Sequence, residues 1–284
     1  MNTIELAMKY IPVLDAVYKA AALTGVLDGP ADLVQQGANA NELIIPMMSM
    51  QGLADYSRNS GYVNGDVTMT NETVKCNFDR GRMFNIDTMD DLETAGLAFG
   101  RLASEFIRTK VVPELDAFRF AAYCGAEGVT KVQATLTDGA AVIAALRAAT
   151  TAMDEAEVPL EERHLFITPT LYGLVQDMDT TKSREVLSRF AGVHQTPQSR
   201  FYTAITQAAD GEGGYTMASG GAELNFVVAH KGAVIQFEKH VAPKIIAPEQ
   251  NQTADGYRFG YRTVGVAEVY KNKTAGGYVC HKPA

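Results

Sequence analysis

The chain has 284 residues, of which 46% are hydrophobic and 20% are charged, a composition that excludes disorder of the whole chain and can bury a core in one large domain or two smaller ones. Its 33 acidic and 25 basic residues give a net charge of -8, and the basic residues are scattered singly, so tight binding to bare nucleic acid is not expected. No apolar run reaches the roughly 20 residues of a membrane span, and the three cysteines lack metal-ligand spacing, so we expect free thiols and no membrane partner.

The first 42 residues are predicted to form an extended N-terminal arm. A short helical pattern is cut by Pro12, and the polar stretch at 35–41 has little apolar surface to bury. A terminus that cannot pack on its own chain is either disordered or held by a neighbouring molecule. We therefore expect this segment to find its contacts outside its own domain.

Residues 43–86 are predicted to form a long β-hairpin. An apolar run, 43–48, leads to a tip with the turn dipeptide Asn64-Gly65, and an alternating segment, 73–78, returns. Pro46 cannot donate a hydrogen bond to a strand ladder, so the first strand is expected at a sheet edge. An isolated two-stranded ribbon is marginal in water, so this one needs a partner surface on its own chain or on another.

The longest predicted helix begins at Asp90-Asp91 and carries apolar residues at intervals of three and four. Pro113 lies inside this pattern, where it removes a backbone donor and clashes with the preceding turn. A kink or a break is therefore expected at Pro113. Gly125 and Gly128 are expected to end the helix.

The rest of the chain is predicted to alternate helix and strand and then to continue as strands. Asp138 is the expected N-cap of a helix, and a strand at 165–167 leads into another helix with Pro169 in its first turn. Three further strands are predicted, at 225–229, 233–237 and 263–270. This order of elements indicates a mixed, α+β fold class.

We find no sequence motif that indicates catalysis or cofactor binding. The Walker phosphate loop, HExxH and GxSxG are absent, and the glycine-rich stretch 211–214 lacks the spacing of a dinucleotide loop. The five histidines lie far apart in the sequence, so each is predicted to be a structural or surface residue. The chain is therefore predicted not to be an enzyme and to bind no cofactor or metal. An α/β enzyme whose site has no recognisable motif remains a rival hypothesis.

Several blocks of sequence resemble a family of tailed-bacteriophage major capsid proteins. They are FDRGRMFNID (78–87), FIRTKVVPELD (106–116), GVHQTPQSRF (192–201), NFVVAHKGAV (225–234) and KHVAPK (239–244), followed by Asn251-Gln252 and Tyr261-Arg262. The blocks match in order and cover most of the chain from the hairpin onward, and those near the end of the chain are the most specific.

The resemblance implies the Hong Kong 97-type coat fold, of the α+β class, and the function of a major capsid protein. Such a protein self-assembles into hexamers and pentamers that form the icosahedral head around phage double-stranded DNA. The implied segments are an N-terminal arm (1–42), an extended hairpin loop (43–86), a peripheral domain with the spine helix (87–134), an axial domain (135–223) and returning strands (224–284). In the family the arm and loop drape over adjacent subunits, which meets the packing need of both.

The resemblance also implies partners and a location. Besides copies of itself, the chain is expected to meet a portal protein and to touch packaged DNA only by weak, non-specific contact, in a virion assembled in the host bacterial cytoplasm. Because no long helical extension precedes the arm, a separate scaffolding protein, or none, is expected. No lysine lies between Leu43 and Val74, so the lysine-to-asparagine crosslink of some members is not expected.

The sequence leaves two points undecided: which charged residues contact other subunits, and whether the shell holds DNA or protein. The candidate inter-subunit contacts are the charged residues Arg58, Arg80, Arg82, Glu105, Arg108, Glu114 and Arg200. The main alternative function is an encapsulin-type bacterial nanocompartment shell, which has the same fold but holds protein cargo.

Overall fold

The structure, a computed structural model, describes residues 22–29, 35–36, 42–59, 61–87, 104–178, 180–208, 213–252 and 255–283. Its strands are β1 (Gln35–Gln36), β2 (Glu42–Met50), β3 (Val67–Lys75), β4 (Phe78–Asp87), β5 (Thr130–Gln133), β6 (Arg163–Ile167), β7 (Gly192–Gln195), β8 (Ile205–Gln207), β9 (Tyr215–Met217), β10 (Leu224–His230), β11 (Val234–Ile246), β12 (Gly256–Val269) and β13 (Gly277–His281). Its α-helices are α1 (Val112–Gly125), α2 (Gly139–Glu155), α3 (Pro169–Met178) and α4 (Thr181–Leu187).

A five-stranded mixed sheet in the order β5-β13-β10-β6-β7 forms the larger core. Its central strand β10 is buried on both faces, which explains why its sequence is an almost continuous apolar run. Phe226 and Val228 face α2, α3 and α4, whereas Val227 and Ala229 face α1. The sheet is therefore covered by helices on both sides.

A second sheet, in the order β11-β12-β4, lies on the other side of α1. The β11–β12 ladder runs from the Val234–Val269 pair to the Ile246–Arg258 pair, and β12 continues into the ladder with β4. Phe259 and Tyr261 of β12 are buried in the cluster that contains Leu115 of α1. Because α1 contributes to the cores of both sheets, it fixes their relative position.

Pro113 does not break the helix that contains it. Residues Ile107–Val111 form a π-helical turn, in which the Val112 N–H donates to the Ile107 carbonyl, and α1 continues directly from this turn. Pro113 therefore lies in the first turn of an α-helical segment, where a missing N–H is tolerated. The helix ends at Gly125 as expected, but its predicted start at Asp90-Asp91 lies outside the described residues.

The predicted helix–strand–helix order after α1 is confirmed. The Asp138 carboxylate accepts a hydrogen bond from the Ala141 N–H at 2.8 Å and caps α2. The strand β6 follows, and Pro169 is the first residue of α3, which extends to Met178. The predicted strands near 225–229, 233–237 and 263–270 correspond to β10, β11 and β12.

The predicted hairpin is a ribbon made of β2 and β3, which pair antiparallel from Glu42–Lys75 to Met50–Val67. Strand β1 pairs with only two residues of β2, Leu43 and Ile44. Beyond Ile44, β3 is the neighbour of β2 among the described residues, so Pro46 lies at a stretch with an open edge, as predicted. The last part of the predicted hairpin range, β4, belongs instead to the sheet with β12.

Part of the predicted arm packs on its own chain, which corrects the expectation that it depends on a neighbour. In a 3-10 turn at Thr24–Leu27, Leu27 is fully buried in the core around α1. The Asp116 carboxylate of α1 accepts hydrogen bonds from the N–H groups of Leu23 and Thr24, at 3.2 and 3.1 Å, and from the Thr24 hydroxyl at 2.6 Å. A polar anchor and an apolar anchor thus hold residues 22–29, the arm root.

Candidate assembly surfaces

The ribbon tip exposes an unusual amount of apolar surface. Seven large apolar side chains between residues 50 and 69 are at least 60% exposed. They are Met50, Leu53, Tyr56, Tyr62, Val63, Val67 and Met69. Contiguous apolar patches of this kind on soluble proteins usually mark interaction sites. The signal was present in the sequence, as aromatic and aliphatic residues within a segment otherwise rich in turn-forming residues.

The backbone of the tip turns earlier than the sequence predicts. Ser57 and Gly61 form a β-bridge, and Gly61 has a φ of 77°, a left-handed conformation that glycine adopts without strain. Asn64-Gly65, the predicted turn, instead lies in the return segment that leads to β3. The rings of Tyr56 and Tyr62 lie 4.9 Å apart between centroids, and this contact supports the tip from within.

Three of the predicted contact residues form one polar group inside the subunit. Arg80 of β4 pairs with Glu114 of α1 at 2.8 Å and donates to the Ala208 carbonyl at 2.9 Å. Burial raises the pKa of Glu114, and the Arg80 guanidinium opposes this shift. Arg200 pairs with the buried Asp116 at 3.0 Å. These pairs join β4, α1 and the segment from 200 to 208.

A cleft of about 1510 Å³ opens beside this polar group, between β4, the helix leading into α1 and the β8–β9 hairpin. Part of its lining is apolar: Met83, Phe84, Phe106, Tyr215 and Met217. Five of the seven predicted contact residues also line it: Arg80, Arg82, Glu105, Glu114 and Arg200. The cleft thus brings together residues that are up to 120 positions apart in the sequence, from Arg80 to Arg200.

The remaining two predicted contact residues lie on exposed surfaces. Arg58 is at the ribbon tip, next to the Ser57–Gly61 bridge. Arg108 pairs with Glu105 at 2.7 Å, and both side chains are more than half exposed, so this pair contributes little to the stability of the subunit. The contact of any of the seven residues with another subunit stays a prediction.

Two histidines that are distant in the sequence meet in the five-stranded sheet. His164 on β6 and His194 on β7 have their Nδ1 and Nε2 atoms 3.3 Å apart, because the two strands pair in parallel. Sequence spacing of 30 residues gave no sign of this pair. In the described ranges, no group of three or more His, Cys, Asp or Glu residues is placed to hold a metal ion. No described helix has the length and apolarity of a membrane span.

No family model and no curated protein matches the sequence. Solved structures do match it over most of its length. The structure of Gordonia phage Cozz has a TM-score of 0.59 and 11% identity, and the match covers 93% of this chain and 87% of that chain. The capsid structure of cyanophage P-SCSP1u has a TM-score of 0.56 and 14% identity, with 88% and 85% covered. A virus-like particle from Pyrococcus furiosus has a TM-score of 0.57 and 10% identity, with 93% and 98% covered.

The chain has the Hong Kong 97-type coat fold. In the terms of this α+β fold, the ribbon is the extended loop and α1 belongs to the spine helix. The sheet of β4, β11 and β12 packs beside the spine helix, and the five-stranded sheet carries α2, α3 and α4 on one face. The fold predicted from the sequence resemblance is therefore confirmed.

Proposed function

We propose that this chain is the major capsid protein of a tailed bacteriophage. Copies of the chain would form hexamers and pentamers of an icosahedral head that encloses double-stranded DNA. The observation that carries this proposal is the exposed apolar surface of the ribbon tip, in a fold shared with phage capsids. The subunit would act by packing and not by catalysis.

The energetic argument for a partner is direct. Burying an aliphatic side chain contributes about 1.5–3 kcal/mol. Five such side chains, Met50, Leu53, Val63, Val67 and Met69, are between 65% and 107% exposed on the ribbon, so their burial offers on the order of 10 kcal/mol before ordering costs. A large part of this free energy is unused in a solitary subunit.

A sister subunit is the partner that fits a repeated shell. One heterologous contact, in which the ribbon of each subunit covers the next subunit, closes into rings and shells when the rotation between neighbours permits. Each interface then needs only an ordinary size of about 1,600 Å², because a subunit leaves only when several interfaces open together. The seven charged residues named from the sequence are proposed as part of these contacts.

The remaining partners follow from the same proposal. A phage head needs a portal protein at the vertex where DNA enters, and a separate scaffolding protein would set the size of the shell, which the chain would also close alone at high concentration. The acidic balance of the chain, with a net charge of -8, suits a container that touches packaged DNA only weakly and non-specifically. The mature location would be the virion, after assembly in the bacterial cytoplasm.

Electron microscopy of the purified, overexpressed chain tests the proposal. We expect closed shells from the wild-type chain, whereas small discrete oligomers at all concentrations would overturn the proposal. The double variant Leu53→Ser, Tyr62→Ser should give folded subunits that fail to close. Its matched control is Leu160→Ser, which removes a leucine that is 55% exposed away from the ribbon and should leave the shells intact.

A shell that holds protein, as an encapsulin does, is the second candidate function. The match to the virus-like particle covers 98% of that chain, so a shell built from a subunit of similar length is a relevant comparison. The contents of particles purified from the native host separate the two candidates. Nuclease-protected double-stranded DNA supports the phage head, and a co-purifying enzyme supports the compartment.

A further inference from the structure

The His164–His194 pair lies where the edge strand of the five-stranded sheet meets its neighbour. His164 is opposite Gly192 in the parallel ladder of β6 and β7, and His194 follows two residues later on the same face. The His194 ring also stacks on Phe166, with 5.1 Å between the ring centroids and 27° between the planes. Both imidazoles are therefore held in place by the sheet and are only half-buried.

Gly192 makes the close approach of the two rings possible. A Cβ atom at this position would lie 2.9 Å from His194 Nε2 and 3.1 Å from His164 Nδ1. Any side chain there would push against both ring nitrogens. The missing side chain at Gly192 therefore leaves the room that the two ring nitrogens need to approach each other.

The separation of the two nitrogens matches that of two ligands on one metal ion. Zinc–imidazole bonds are about 2.0–2.1 Å long, so two of them at a tetrahedral angle place their nitrogens about 3.3–3.4 Å apart. The observed distance is 3.3 Å. A hydrogen bond between two neutral rings gives a similar N–N distance, so the distance fits either arrangement and metal titration separates them.

The surroundings of the two rings favour the neutral form of imidazole, which is the form that binds a metal. Burial and the neighbouring His194 lower the pKa of His164, and burial lowers the pKa of His194. The nearby charges are mixed, since the Glu162 carboxylate attracts a cation while the Lys231 ammonium group repels one. Their effects on an incoming ion partly cancel.

We propose that His164 and His194 form a two-histidine site for a divalent transition-metal ion of the imidazole-preferring class, such as Zn²⁺, Ni²⁺ or Cu²⁺. The ion would link β6 to the edge strand β7. Each ring would then carry its proton on the nitrogen that points away from the ion. No third His, Cys, Asp or Glu joins the pair among the described residues, so water would complete the coordination and the ion would exchange readily.

Titration of the full-length chain with Cu²⁺ at pH 7.5, followed by electron paramagnetic resonance, tests this proposal. We expect one site per chain with the signature of two imidazole nitrogens. His164→Gln and His194→Gln should each weaken binding at least about tenfold. The matched control, His281→Gln, removes a histidine outside the pair and should bind as the wild type does.

A further variant separates loss of the site from loss of the fold. Gly192→Ala keeps both histidines and inserts a methyl group against their nitrogens, so it should also lose the two-nitrogen signal while far-ultraviolet circular dichroism stays unchanged. A wild-type chain without a saturable site would overturn the proposal. Equal copper affinity in the wild type and in the double variant His164→Gln, His194→Gln would overturn it as well.

Discussion

Asp116 connects three parts of the chain from an almost fully buried position on α1. Its carboxylate accepts hydrogen bonds from the arm root at Leu23 and Thr24 and pairs with Arg200. The fully buried Leu27 and the buried Arg119, which donates to the Thr24 hydroxyl at 3.0 Å, complete the same junction. A buried charge of this kind is tolerated only because its partners are complete.

Removing the charge of Asp116 should therefore be costly. Asp116→Asn keeps the shape of the side chain but leaves Arg200 without its anion, so we expect the free energy of unfolding to fall by about 3 kcal/mol. The measurement is urea unfolding followed by circular dichroism, in the Leu53→Ser, Tyr62→Ser background that we expect not to close into shells. Asp55→Asn, at an exposed position of the ribbon, is the control and should change stability by less than about 0.5 kcal/mol. Equal effects of the two changes would show that the junction contributes little.

The histidine pair makes stability depend on pH with a definite sign. Burial lowers the pKa values of His164 and His194, and the surrounding Lys231 and His230 lower the value of His164 further, against the opposing charge of Glu162. The unfolded chain therefore binds protons on these rings at a higher pH than the folded chain does. The stability that these two rings contribute is fully present above the ordinary histidine pKa of about 6.5. It is lost as the pH falls below that value toward the lowered pKa values of the folded chain.

We expect the free energy of unfolding to drop between pH 7 and pH 5 more steeply in the wild type than in His194→Gln. Urea unfolding at a series of pH values in metal-free buffer measures this slope. Carboxylates also titrate in this range, so the difference between the two proteins is the quantity to compare. His281→Gln is the matched control, and an identical slope in wild type and His194→Gln would contradict the prediction.

Elements with a strong local pattern were predictable from the sequence. The helix α2, with its Asp138 cap, and the buried strand β10 have apolar periodicity or a continuous apolar run that tertiary contacts do not alter. Short strands were missed for a physical reason. All four residues of β5 are exposed, and β8 and β9 have three residues each, so they carry no readable alternation.

The candidate surfaces were less predictable, because their partners are distant in the sequence. Arg200 and its partner Asp116 are 84 residues apart, and the histidine pair is 30 residues apart. The residue types indicated which charged side chains could form contacts. Which of these charges meet is decided by the ladder between β4 and β12 and by the position of α1. The π-helical turn before Pro113 was not predictable either, because it depends on how the backbone adjusts to the N–H group that proline lacks.

Packing between helices gives a prediction at the scale of elements. Gly139 begins α2 at a position where an added Cβ would collide with the carbonyl oxygen of Leu174 on α3 and lie 3.2 Å from its carbonyl carbon. Gly139→Ala should therefore lower the free energy of unfolding by about 1–3 kcal/mol. Gly125→Ala, at the end of α1 with no atom within 4 Å of the added Cβ, is the control.

The control should be neutral or more stable by about 0.4–1 kcal/mol, because alanine restricts the unfolded chain more than glycine does. Thermal and urea unfolding of both variants give the comparison. A Gly139→Ala variant as stable as Gly125→Ala would mean that α2 and α3 separate easily, which contradicts the close packing of their cores.

At the scale of the whole molecule, the arm root and the ribbon differ in how they are supported. The arm root at 22–29 has both polar and apolar contacts with α1, so it is part of the subunit. The ribbon, in contrast, consists of two strands beyond Ile44 and exposes its apolar tip. Because an isolated ribbon is marginal in water, the ribbon is the segment whose stability we expect to depend on assembly.

The charge at the ribbon tip gives a test of this dependence. If Arg58 meets an acidic surface of the next subunit, Arg58→Glu replaces attraction with repulsion at every interface, and the repeated contact multiplies the loss. We expect shell formation to require at least about tenfold more protein, or to fail, as measured by light scattering and electron microscopy. Arg147→Glu makes the same change of charge on the exposed face of α2 and should assemble as the wild type does. Equal assembly of the two variants would remove Arg58 from the interface, and an equal defect in both would point to the overall charge of the subunit as the cause.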